Sequence, residues 1–168
     1  MPLRVVLAVP VQPGPGRTPQ PGRRLFLVNE RYLRGAARQA ELGGPGETRR
    51  QVYDELADIA PDLSRLAVEF AYGDIHARPG LDPGRRELVI LGVLIALGDA
   101  GPQIRAHLNS ALAVGITPAE LVEAVIQAVP YAGFPRVLAA MSIARQVFDQ
   151  HGLLPIDPID PIGQGVRA

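Results

Sequence analysis

The strongest constraint on this chain lies between Asp82 and Gly98. Leu88, Val89, Ile90, Leu91, Val93, Leu94, Ile95 and Leu97 follow one another there, behind an Asp82-Pro83 start. Aspartate caps the first free backbone N–H groups of a helix, and proline suits its first turn. A helix that is apolar on nearly every side must be covered by other elements, so this one is expected at the centre of the fold. Around it, apolar residues recur at three- and four-residue spacing, and no hairpin signal interrupts them. The spacing predicts helices at about 28–42, 48–57, 61–73, 82–98, 101–114, 118–129 and 134–151. Thr117-Pro118-Ala119-Glu120 forms a capping box, and Gly115 and Gly152 stand where helices end. The expected class is all-α, a compact domain of six to seven helices over residues 28–152. Gly92, Ala96 and Ala106 are small enough to let helices approach closely.

Both ends read differently. Residues 1–27 form a Pro/Gly-rich arm, in which Leu3 to Val11 is a short apolar stretch broken by Pro10. It lacks a signal-peptide cleavage pattern and is read as an irregular arm or edge strand. Residues 153–168 form a tail in which Pro155, Pro158 and Pro161 forbid a helix. No apolar run reaches membrane-spanning length, so no membrane association and a cytoplasmic location are expected.

Composition then removes whole classes of chemistry. The chain has 168 residues and no cysteine, which excludes disulfides, thiolate nucleophiles and cysteine-ligated metals. All 17 basic residues are arginine, so a Schiff-base or general-base lysine is excluded too. They balance 17 acidic residues, and this neutrality argues against a nucleic-acid partner.

Three histidines remain as proton-transfer candidates. His151 falls at a helix end, where it suits the helix dipole. His76 is placed in the Gly/Pro-punctuated loop Ala71–Leu81. His107 sits in mid-helix among apolar residues, a setting typical of a hydrogen-bonded core histidine as well as of a catalytic one. Glu120, Glu123 and Gln127 share one face of the next helix, which is either solvated or turned into a cleft near His107. No nucleotide, hydrolase or zinc motif occurs, and His76, His107 and Glu123 lack metal-ligand spacing, so no metal is expected.

Read together, Gly73-Asp74-Ile75, Arg78-Pro79-Gly80-Leu81, Arg86-Glu87-Leu88, His107-Leu108, Ala111-Leu112, Gly115, Glu120, Glu123 and Tyr131-x-Gly133-x-Pro135 resemble the carboxymuconolactone decarboxylase family. Arg31-Tyr32 and Leu42-Gly43 resemble its first helix, so the likeness covers about residues 30–150. The resemblance implies a helical fold assembled as homotrimers or homohexamers, with the site near subunit interfaces. One branch of the superfamily uses a CxxC pair and is closed to this chain. The other holds cofactor-free decarboxylases of aromatic catabolism that convert 4-carboxymuconolactone to 3-oxoadipate enol-lactone.

Carried over by position, the resemblance makes His107 the general acid/base. Glu123 orients or polarises it, and Tyr131 donates a hydrogen bond. Arg78, Arg85, Arg86 and Arg105 are candidates for binding the carboxylates of a small anionic substrate. His76, Asn109 and Glu87 complete the expected substrate-binding set, with intrahelical capping or pairing an alternative for Glu87. Three positions depart from the close decarboxylases, which usually carry Trp at His76, Arg at Asn109 and a branched apolar residue at Pro130. These departures imply a changed substrate on a retained scaffold. An isomerase, cyclase or dehydratase using His107, His76 and Tyr131 is the competing enzymatic reading. A non-catalytic binding or assembly protein is the third.

Overall fold

A computed structural model of the chain describes residues 28–43, 53 and 55–156. Every regular element among them is helical, as expected. α1 spans Glu30–Glu41 behind an Asn29 cap, whose side chain accepts from the Tyr32 backbone N–H at 2.9 Å. α2, Leu63–Leu66, runs directly into a π-helical stretch, Ala67–His76. α3 is Pro83–Leu97, α4 Gly101–Ala113, α5 Pro118–Gln127, α6 Val129–Ala132 and α7 Phe134–Gln150. The expected capping box is present: Thr117 Oγ1 accepts from the Glu120 N–H, while the Glu120 carboxylate accepts from the Thr117 N–H at 2.8 Å.

Two expectations are corrected. The predicted 118–129 helix stops at Gln127, and the short α6 carries Pro130 in its first turn. The predicted 61–73 helix runs on to His76, so His76 belongs to its last turn and not to a loop. Wide π turns are uncommon and recur at functional sites. The predicted 48–57 helix falls largely outside the described residues; of those described, Tyr53 and Glu55 are helical, while Leu56 and Ala57 form a turn. The 1–27 arm and the tail beyond Ile156 lie outside them as well.

The chain packs in two parts. α1 lies against the π-helical stretch, and the contact is close enough to require glycine. A Cβ on Gly35 would stand 2.0 Å from the Val68 carbonyl oxygen, and one on Gly73 would stand 2.2 Å from that of Arg31. Buried Glu69 accepts from Asn29 and Arg65, while Asp74 pairs with Arg31 and Arg34 of α1. Those guanidinium partners hold Asp74 below the usual carboxylate range despite some desolvation. The second part is the main core. Leu91 and Ile95 of α3 meet Ile104, Leu108 and Ala111 of α4, Leu121 and Val125 of α5, and Val137, Ala140, Ala144, Val147 and Phe148 of α7. Leu154 and Ile156 of the proline-rich tail also rest on this core.

α3 is central on one face only. Gly84, Glu87, Leu91 and Ile95 are buried. Val89, Val93 and Leu97, one turn apart, are exposed, as are Ile126, Phe134 and Leu138. The all-round apolar pattern of α3 therefore combines a core face with an uncovered one. Near the second group, an apolar groove of about 510 Å³ is lined by Ile126, Val129, Pro130, Phe134, Leu138 and Met141, among others.

Full burial of Leu108 on α4 makes it a direct probe of this core. Leu108→Ala should lower unfolding free energy by about 2–5 kcal/mol in urea denaturation, because the cavity adds to the lost transfer energy.

Candidate active site

At the heart of the molecule is a carboxylate with no access to water. Glu87 lies on the buried face of α3, one turn before Leu91 and two before Ile95, and is 0% exposed. A charge in that position must be paired. Its Oε2 accepts from His107 Nδ1 of α4 at 2.7 Å, and its Oε1 accepts from His76 Nε2 of the π-helical stretch at 3.1 Å. Burial alone would raise the Glu87 pKa, but the hydrogen bonds from His107 and His76 lead the opposing effects and hold the carboxyl below its ordinary value.

The two histidines differ in setting. The His76 side chain is 5% exposed, and its ring stacks on Tyr72 with centroids 5.9 Å apart. Its Nδ1 is buried and has no hydrogen-bond partner among the described residues. The His107 side chain is 16% exposed, so its ring reaches the surface. With Nδ1 committed to Glu87, Nε2 is the nitrogen that can exchange a proton with a ligand.

The remaining expected site residues are placed elsewhere. Glu123 is exposed on α5, and Tyr131 is 83% exposed on α6. The carboxylate hydrogen-bonded to His107 is therefore Glu87, not Glu123, because Glu87 stands on the α3 face that α4 covers. Glu87 and His76 were expected to touch substrate, yet both are buried behind His107. Arg105 and Asn109 share a face of α4 turned some 200° from His107, and that face meets α7. There Arg105 donates to Gln146, Asn109 donates to the Arg105 carbonyl, and His151 and Asn109 Oδ1 are 2.6 Å apart. Both residues tie α4 to the end of α7, and His151 gains a partner beyond the helix dipole.

Arg85, in the first turn of α3, pairs with the cap residue Asp82 at 2.6 Å. Arg86 donates to the carbonyls of Arg78 and Leu81, shaping the turn between His76 and α3. Arg78 itself is exposed. The structure thus brings His76, Glu87 and His107 together and assigns the other residues to caps, turns, the α4–α7 contact or outer surfaces. Sequence did carry a signal for Glu87, since a lone acid in phase with Leu91 and Ile95 has to find a buried partner.

A surface-reaching imidazole backed by a buried carboxylate is an acid–base couple. The chain matches the Carboxymuconolactone decarboxylase family model over residues 61–146, which contain all three members of this cluster. The chain belongs to that family. It is 35% identical over 126 residues to the 4-carboxymuconolactone decarboxylase of Acinetobacter baylyi, covering 75% of this chain and 92% of that protein. It is 34% identical over 84 residues to the nitrosuccinic acid decarboxylase npaB of Metarhizium robertsii, covering 50% of this chain and 58% of that one. An uncharacterized 15.0 kDa protein of Paracoccus denitrificans is 32% identical over 94 residues. Two of these relatives are named as decarboxylases, which supports a carboxy-lyase kind of activity for this chain. Among the described residues, no helix is long and apolar enough to cross a membrane, and no group of acids and histidines is arranged to hold a metal.

The lowered Glu87 pKa has a consequence for stability. A carboxyl whose folded value lies below its unfolded value of about 4.5 stabilises the fold above that pH, and the contribution disappears as pH falls through the folded value. Urea unfolding compared at about pH 5 and about pH 3 should show a smaller loss in Glu87→Gln than in the unsubstituted protein. Equal losses would mean that Glu87 does not titrate in this way.

Proposed function

We propose that this chain decarboxylates 4-carboxymuconolactone or a related small carboxylated lactone or vinylogous keto acid. The observation that carries the proposal is the 2.7 Å contact between His107 Nδ1 and the buried Glu87 carboxylate. In such a substrate the departing carboxylate is on a carbon linked through a carbon–carbon double bond to a carbonyl. The bond to the carboxyl carbon breaks, carbon dioxide leaves, and the electron pair enters the conjugated system as a dienolate. The substrate is its own electron sink, so this route calls on no metal or organic cofactor.

The remaining task is one proton. His107, protonated on both nitrogens, gives its Nε2 proton to carbon and keeps the Nδ1 proton that faces Glu87. Water then restores Nε2. The anionic Glu87 favours the imidazolium before transfer and fixes the tautomer after it. Arg85 and Arg86 are engaged within the chain, so Arg78, exposed two residues past His76, is the guanidinium proposed for a substrate carboxylate.

The family resemblance further supports a homotrimer or homohexamer. In this reading the uncovered stripe of Val89, Val93 and Leu97, together with Phe134 and Leu138, is covered by neighbouring copies. Exposed Tyr131 and Glu123 would then approach the site of a partner.

Incubation with 4-carboxymuconolactone, followed by mass spectrometry, should give a product lighter by one carbon dioxide. His107→Ala should reduce kcat by about 10²–10⁴-fold. A product of unchanged carbon count would replace this reading with an isomerase or cyclase, and tight binding without turnover would replace it with a binding protein. Light scattering should give a trimeric or hexameric mass, reduced by Val93→Glu; a monomeric mass for the unsubstituted protein would contradict the assembly.

A further inference from the structure

The proton chemistry assigned to His107 leaves His76 without a task, although its burial and its bond to Glu87 are as specific as those of His107. We infer that His76 is a positioning residue: by donating to the second oxygen of Glu87, it keeps the acid proton on His107 and off the carboxylate. The inference builds on the decarboxylase reading only in its kinetic consequences.

When the Glu87–His107 couple carries its extra proton, two arrangements are open. In the first, Glu87 is an anion and His107 an imidazolium, whose Nε2–H is a competent acid. In the second, the Nδ1 proton has crossed the 2.7 Å contact to Glu87 Oε2. Glu87 is then a neutral acid donating to Nδ1, and His107 is a neutral imidazole that holds its Nε2 proton far too tightly to release it. The atoms and the total charge are the same in both. Only the environment of Glu87 decides between them, and its full burial favours the neutral pair.

His76 tips the balance the other way. Its Nε2–H lies 3.1 Å from Oε1, and a donor there stabilises the anion more than the neutral acid. His76 Nδ1 has no acceptor among the described residues, so the geometry favours the neutral Nε2–H tautomer. A relay role is excluded by the same geometry. Both imidazoles present N–H to the carboxylate, so no proton path runs from His76 to His107 Nε2, the atom that must be recharged.

The surroundings leave this task to His76. On its own helical stretch it stacks on Tyr72, and Asp74 is taken up by Arg31 and Arg34 of α1. Glu69, on the same stretch, is paired with Arg65 and near Arg31. From α3, Arg86 is directed to the carbonyls of Arg78 and Leu81. Arg78 follows in the turn and is exposed. From α4, His107 uses the other oxygen of Glu87. The wide turns of the Ala67–His76 stretch end on His76 and so deliver its ring to Glu87.

The test combines His76→Gln, which keeps a donor near the Nε2 position, with His76→Phe and His76→Met, which remove it. Nitrogen-15 spectra of labelled histidine report each imidazole's protonation state without any substrate. In the unsubstituted protein His76 should show the Nε2–H tautomer, and a Nδ1–H tautomer there would overturn the inference with no variant needed. When the Glu87–His107 couple carries one extra proton, His107 should be the imidazolium in the unsubstituted protein and in His76→Gln. In His76→Phe or His76→Met it should instead show a neutral Nε2–H imidazole, with an infrared carboxylic-acid band from Glu87. With 4-carboxymuconolactone as substrate, kcat should fall by at least about tenfold in the donor-less variants at similar KM, with His76→Gln restoring most of it. An imidazolium at His107 in a folded donor-less variant would overturn the inference. Absence of turnover in every form, with the spectra as expected, would instead count against the decarboxylase reading alone.

Discussion

One ion in the wrong solvent organises this protein. Glu87 sits in the core, where an uncompensated carboxylate would cost several kcal/mol. The fold satisfies it with one imidazole from each neighbouring element, α4 and the π-helical stretch. Those two bonds join the packing parts of the chain. His107 belongs to the main helical core, and His76 ends the layer that α1 covers. The interaction that makes the buried charge tolerable is thus the one that places a basic ring at the surface with a fixed tautomer.

The local structure serves this arrangement. Glycines at 35 and 73 let α1 seat closely against the π-helical stretch, which fixes where His76 emerges. Asp82 and Pro83 start α3 one turn before Glu87, and Arg86 binds the carbonyls of the intervening turn. On the far side of α4, Arg105 and Asn109 bond to Gln146 and His151, which holds the helix that presents His107. Asn109, where the close decarboxylases usually carry arginine, accordingly contributes to the α4–α7 contact and not to the acid–base cluster.

Much of the fold was legible because caps and periodicity are local. Asp82-Pro83, Thr117-Pro118 and Gly152 mark helix ends by chemistry that needs no tertiary context. The π turns were not legible, since widened hydrogen bonding is imposed by packing and leaves no periodic trace; His76 was consequently placed in a loop. For the site, the motif singled out His107, which the structure pairs with a buried carboxylate. The phase of Glu87 with Leu91 and Ile95 signalled that it would be buried, but not that it would meet His107, because only the crossing of α3 with α4 decides whether Glu87 or Glu123 faces the ring. The exposed half of α3 was hidden for a related reason: an apolar pattern records that a face will be covered, without recording by what.

The central claim is that Glu87 and His107 act as a unit, with the buried anion supplying its effect only through the imidazole. A double-mutant cycle on decarboxylation kcat tests it most directly, using Glu87→Gln, His107→Gln and the double variant. The account predicts that the double variant is no slower than His107→Gln alone. Losses that multiply independently would contradict it.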